Sequence, residues 1–258
     1  MIMKSLPKAA VLFVLASAAW AADSVLVVDR GLPGSNLNNV SGNSRSNVRW
    51  GSDDEAFVGD SFTVGSAGEK WVIDAIRTWA VPGQSRHDPD HLGNFFQDVR
   101  LYLGANGSDV TPVASTLLSA GSDETSNPHV QISEATRSGA QLYDDFGTAL
   151  RIWQIDFKDL ALPVEGGTSY SFGVWGQGRA VPGKSDKAFE WFNHASNASL
   201  SGVQQDGSDG LLLLFDGAGK GQGSFSGQGN GWDKGSDINI QVFAHRVREG
   251  VLAAQAVQ

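Results

Sequence analysis

Lys70-Trp71-Val72-Ile73-Asp74-Ala75-Ile76-Arg77-Thr78-Trp79-Ala80-Val81 is the run whose reading decides the fold class of this chain. In an extended strand successive side chains point to opposite faces, so Trp71, Ile73, Ala75, Trp79 and Val81 share one face and are predicted to meet a core. The same period of two recurs in Val99, Leu101 and Leu103, in Trp153, Ile155 and Phe157, in Tyr170, Phe172 and Val174, and in Ile238, Ile240 and Val242. Short β-branched and aromatic runs separated by Gly, Ser, Asn and Asp place further strands near 24–28, 60–64, 113–118, 129–132, 189–194 and 211–215. About eleven strands without helical crossovers predict an all-β protein, an antiparallel jelly-roll-like β-sandwich with little helix.

Two segments stand apart from that pattern. Residues 133–142 are the best helical candidate, weakened by Gly139. Residues 217–235 hold eight glycines and little apolar content, and are read as a long loop before the last strand.

The first twenty-one residues have a different character. Lys4 and Lys8 precede an apolar run from Ala9 to Ala19, and Ala19-Trp20-Ala21 is a small-x-small cleavage pattern. This is the plan of a secretory signal peptide, too short to span a bilayer, which needs about 20 apolar residues. The expected organisation is a signal peptide at 1–21, one β-sandwich domain at 22–247 and a frayed tail at 248–258. The expected location is outside the cytoplasm, secreted or periplasmic, with no transmembrane segment.

Charge and composition narrow the partners. The formal charge is −9, and loss of Lys4 and Lys8 takes it to −11. Nucleic acid and anionic membrane surfaces both demand clustered Lys and Arg, so they are disfavoured. The chain has no cysteine, which removes disulfides, thiolate metal sites and cysteine nucleophiles. Neutral glycans, cations and other proteins are the partners such a chain is fitted to meet.

The stretches "VGDSFTVG", "WVIDAIRTWAV", "FQDVRLYLG" and "SDINIQVFAHRV", together with "GTSYSFGVW", resemble the exported bacterial β-sandwich domains found ahead of PEP-CTERM-type sorting signals. The resemblance spans about Asp60 to Val247 and implies a β-sandwich of exported type. It carries no functional residues across, since that family is mainly of unknown function. The end of this chain lacks the PEP motif, apolar helix and basic terminus of the pattern, and is read as pointing to free secretion.

Gly178-Arg179-Ala180-Val181-Pro182-Gly183-Lys184-Ser185 matches the letters of a phosphate-binding loop, but that chemistry needs a helix next, and an alternating strand-like run follows. An internal echo explains these residues better. Ala80-Val81-Pro82-Gly83-Gln84-Ser85 and Ala180-Val181-Pro182-Gly183-Lys184-Ser185 are both Pro-Gly turns following Trp-rich strands. Brought to one end of a sandwich, they would shape a single surface.

Around those turns lie the candidate site residues. Trp79, Arg86, Trp175, Arg179, Trp191 and Asn193 combine aromatic faces with polar groups, the arrangement that recognises a pyranose ring. His87, Asp88, Asp90 and His91 offer imidazole and carboxylate ligands to a divalent metal, against the alternative of a solvated loop. Glu190 and His194 share a face of a predicted strand and are candidates for the centre of a glycosidase or lyase, with the His87/His91 cluster as the alternative centre. Asp-rich turns at 51–55, 121–124 and 206–210 are candidate calcium ligands as well as ordinary turns.

The leading expectation is thus a secreted protein that binds an extracellular glycan through loops at 80–91 and 175–194. The alternatives are a carbohydrate-active enzyme on the same fold and a structural matrix protein. A structural calcium or other divalent ion is compatible with all three, and the sequence leaves the oligomeric state open.

Overall fold

The computed structural model describes residues 24–30, 48–50, 56–82, 91–107, 109–135, 143–145, 148–150, 152–179, 191–194, 209–226 and 237–247. The signal-peptide and tail readings, and residues 180–185 of the phosphate-loop match, lie outside these residues. The strands are β1 (Val25–Asp29), β2 (Val48–Trp50), β3 (Ala56–Thr63), β4 (Lys70–Pro82), β5 (Asp98–Ala105), β6 (Thr111–Leu117), β7 (Val130–Glu134) and β8 (Tyr143–Asp145). They continue as β9 (Thr148–Leu150), β10 (Trp153–Phe157), β11 (Leu162–Glu165), β12 (Ser169–Trp175), β13 (Trp191–Asn193), β14 (Leu211–Asp216), β15 (Gly221–Ser226) and β16 (Ile240–Arg246). One 3-10 turn, Leu92–Asn94, precedes β5. No helix among the described residues is long and apolar enough to cross a membrane.

Among the described residues all pairings are antiparallel, and they form two large sheets. The first, of eight strands, runs β1-β16-β4-β10-β7, with β11 on the start of β4 and β13, backed by β2, on its end. The second runs β15-β14-β3-β12-β5-β6, and β8-β9 is a separate ribbon. The chain shuttles between the sheets, and one apolar cluster joins them. From the first sheet it takes Ile73, Ile76, Trp153, Ile155, Phe157, Ile240 and Val242; from the second, Phe62, Val99, Leu101, Phe172 and Val174. Each such side chain, removed fully from water, contributes about 1.5–3 kcal/mol. The expected β-sandwich is therefore observed, as two packed antiparallel sheets.

Four of the five alternating rows face that core as expected. The row in β4 does not, and a β-bulge is the reason. Phe243 pairs with Ala75 and Ala244 with Ile73, so Asp74 has no opposite residue in β16. One extra residue reverses which side chains face inward. Trp71 and Ile73 pack on the core before the bulge; Ile76 and Ala80 do so after it. Trp79 is consequently on the outer face, in a separate small cluster with Ile152 and Ala135.

Two other expectations are corrected. Ser133 and Glu134, assigned to a helix, continue strand β7, because Ile132 pairs with Ile155 and Glu134 with Trp153 in β10. The glycine-rich stretch after Gly217 is not a loop throughout. Asp216 accepts from the backbone amides of Ala218 and Lys220 through Oδ1, closing a turn, and β15 returns along β14.

Candidate functional site

The two echoed segments diverge from the sheets where β4 ends and where β12 ends. Pro82, the last residue of β4, pairs with Trp191, and Trp191 pairs in turn with Trp50 of β2. At their other ends the segments also meet. Phe96 bridges to Gly178, the Arg179 amide donates to Phe95 O at 2.5 Å, and the Gln97 amide donates to Gln177 O at 2.8 Å. The flanks of residues 83–90 and 180–190 thus meet crosswise, Pro82 before the first beside Trp191 after the second, and Phe95 and Phe96 after the first beside Gly178 and Arg179 before the second. Arg86, His87, Asp88, Asp90 and Glu190 lie in these segments, outside the described residues.

The remaining sequence candidates are spread over the sandwich. Trp79 is 1% exposed on the outer face of the first sheet. Trp175 is half-buried on the outer face of the second, among Phe57, Tyr102 and Phe215, with the Arg100 guanidinium 5.3 Å from its ring centroid. Asn193 lies between the sheets, its Nδ2 donating to Val58 O at 3.4 Å. His194 is buried next to it, its amide donating to Trp79 O. Arg179 clamps loop backbone, donating from Nε to Gly93 O and from Nη2 to Leu118 O, both at 2.5 Å. His91 Nδ1 stands 3.2 Å from Asp123 Oδ2, whose other oxygen accepts from the Leu92 amide. That brings the 121–124 turn and one predicted metal ligand into a single hydrogen-bonded knot.

The most unusual chemistry lies elsewhere. Asp60 belongs to the face of β3 that also presents Val58, Phe62 and Val64 to the core, and it is fully buried. Arg30, directly after β1 and equally buried, donates from Nη1 to Asp60 Oδ2 at 2.8 Å and to Ile238 O at 3.2 Å. Its Nη2 donates to Ser61 O at 2.5 Å. The Ile238 and Ser61 amides complete the shell of the Asp60 carboxylate, at 2.7 and 2.6 Å. Asp237, also buried, and Asp209 bring their carboxylates to the same place, with one oxygen from each of the three acids within 4.8 Å of the others. Burial, and then the Asp237 charge, push Asp60 up to about 7 even though the Arg30 charge opposes them.

Comparison with family models, with curated proteins and with solved structures returns no match for this chain.

Chemically, the three carboxylates are hard oxygen donors of the type calcium takes, without the sulfur or nitrogen that softer metals select. Asp209 comes from the 206–210 turn already singled out. Asp60, Asp237 and Arg30 were missed, although one signal for Asp60 is in the chain: an acid interrupting the apolar face Val58-x-Asp60-x-Phe62-x-Val64. Nothing local marks Arg30, whose partner lies thirty residues away.

Proposed function

We propose that this chain is an exported binding protein that recognises an extracellular carbohydrate through the paired segments 80–91 and 175–194. The observation that carries this reading is the shared anchoring of those segments. Pro82 lies beside Trp191, and Phe95 beside Arg179, so the chain flanking one Pro-Gly segment meets the chain flanking the other, and the two segments together are rich in aromatic, guanidinium and imidazole groups. Neutral sugars suit the site better than acidic ones, since a net charge of −9 repels polyanions at long range. The fully buried His194 gives the enzymatic alternative, with Glu190 as its acid, no accessible base at that position.

In affinity electrophoresis through gels containing neutral polysaccharides, the exported chain is expected to be retarded by at least one of them. Trp191→Ala and Arg86→Ala are each expected to weaken that retardation. Migration unchanged across the whole polysaccharide panel would sink the proposal.

Calcium belongs to the same reading as a structural ion held by Asp60, Asp209 and Asp237. An ion bound only by the folded state raises its stability with concentration. Millimolar calcium is expected to raise the thermal midpoint and EDTA to return it, while Asp209→Asn, at an exposed position, removes the response and leaves the fold intact. A midpoint indifferent to calcium and EDTA in the unmodified chain would refute the ion.

A further inference from the structure

The two sides of the sandwich end differently. On one side β6 closes the second sheet, and the residues after it cover its outer edge. The Leu117 amide donates to Ser126 Oγ at 2.9 Å, the Ser126 amide to Leu117 O at 3.0 Å, and Asn127 Nδ2 to Ser115 O at 3.0 Å. Pro112 removes one further donor from that strand. On the other side the second sheet ends in β15, whose one neighbour among the described residues is β14. The main path of the first sheet has five strands against six in the second, and β15 is the strand left beyond the covering sheet. All of its residues, Gly221–Ser226, are exposed.

An exposed sheet edge carries N–H and C=O groups that template pairing with another chain, and proteins ordinarily blunt it with charged side chains, proline or a bulge. β15 has neither charge nor proline, in a chain of net charge −9. Its bulge lies at Gln222, since Leu214 pairs with Gly223 and Phe215 with Gly221; from Gly223 to Ser226 the strand is regular. Alternation sets the faces of that regular stretch. Phe225 is opposite Leu212 and Gly223 opposite Leu214, both of which pack on the core, so Phe225 and Gly223 share the inner face. Ser224, opposite Leu213, is on the outer face. Phe225 is nevertheless 41% exposed, and a Cβ at Gly223 would have no neighbour within 4 Å. An exposed ring and an open space therefore lie two residues apart on one face of a free edge.

We infer that β15 pairs antiparallel with β15 of a second copy of this chain, about a two-fold axis at Ser224, joining the six-stranded sheets of two copies into one. The pattern of the edge selects this occupant. A two-fold axis perpendicular to the sheet keeps inner face with inner face, so residues opposite one another must belong to the same face. With Ser224 on the axis, Gly223 of each copy meets Phe225 of the other. Each ring then fills the open space beside the other copy's glycine, the cross-strand arrangement by which an aromatic side chain shields an edge glycine. Charge agrees. Two chains of net charge −9 repel at long range, and Gly221–Ser226 is a stretch where they approach without setting like charges opposite one another. A basic partner, which an acidic surface would otherwise attract, finds no carboxylate on this strand. One strand pair makes a small interface, so the dimer forms and dissociates with concentration. The pairing involves none of the residues of the carbohydrate site.

Sedimentation velocity of the purified protein, from micromolar to millimolar concentration, is expected to show a monomer–dimer equilibrium. Ser224→Lys and Ser224→Glu each set like charges opposite one another on the axis and are expected to weaken association about fivefold or more. Mixing the two variants sets opposite charges against one another and is expected to restore it. Phe225→Ser is expected to weaken association about tenfold, with the thermal midpoint of the monomer unchanged because the position is exposed. Thr111→Lys on β6, the covered edge of the same sheet, is expected to leave the dimer intact. A protein that stays monomeric over the whole range overturns the inference. So does dimerisation that survives Ser224→Lys, or a mixture that associates no better than either variant alone. Growth past the dimer overturns it too, since a two-fold pairing closes on itself.

Discussion

Arg30→Met in this protein is expected to cost about 3–5 kcal/mol, because it leaves Asp60 and Asp237 buried near one another without the guanidinium that faces Asp60. For a chain of this size, roughly 2–4 °C of thermal midpoint follows each kcal/mol, so the fall should be on the order of 10 °C. The size of the effect comes from the carboxylate left behind rather than from the strength of the ion pair. Replacing both charges, as in Arg30→Met/Asp60→Leu, is therefore expected to recover much of the loss, since a buried pair exchanged for apolar groups of similar volume is often nearly neutral. Urea unfolding of the two single variants and the double variant, in EDTA, measures the coupling directly. If Arg30→Met costs less than about 1 kcal/mol, the buried pair contributes no more than an exposed one would.

Gly59→Ala has the second large expected effect. A Cβ at Gly59 would lie 2.1 Å from the carbonyl oxygen of Phe172, on the neighbouring strand β12, and 2.6 Å from the Phe215 ring. Its register partner is Gly173, where a Cβ would meet the Phe57 ring at 2.6 Å. The two glycines let Phe57 and Phe215 pack closely across the outer face of the second sheet, with centroids 5.3 Å apart. A side chain can rotate away from an added methyl group, but a carbonyl paired within a sheet cannot. The cost should reach about 3 kcal/mol, the upper range for overpacking, read as a lower urea midpoint with an unchanged slope. Gly221→Ala is the contrast: the nearest neighbour of its Cβ would be Asp109 Oδ1 at 3.9 Å, so stability should change by no more than about 0.5 kcal/mol.

How much could be read in advance differs between the strands and the site. Trp153, Ile155 and Phe157 announced their strand and its inward face because alternation is a local property that each residue reports through its own polarity. Trp71 to Val81 announced the strand but not the face, since the bulge at Asp74 becomes visible only against β16. Glycines misled in the same way. Gly221 and Gly223 read as loop, yet β14 supplies the hydrogen bonds that extend them into β15. Candidate residues grouped through the two echoed turns, such as Trp79 and Trp175, were separated by the sandwich onto the outer faces of opposite sheets. Asp29, Arg77, Asp156 and Gln241, far apart in the chain, were brought into one row.

By itself the sequence determined that this chain forms strands, roughly where they lie and which residues most of them bury, because hydrophobic periodicity acts over a few neighbouring residues. It determined the charge sign too, and with it the classes of partner that an acidic surface repels. Only the tertiary structure decided which polar groups meet. The Arg30–Asp60 pair, the approach of Asp209 and Asp237, and the polar row from Asp29 to Gln131 across five strands depend on register and strand order. Those are set by the packing of two sheets on one core, and no local stretch of residues encodes them.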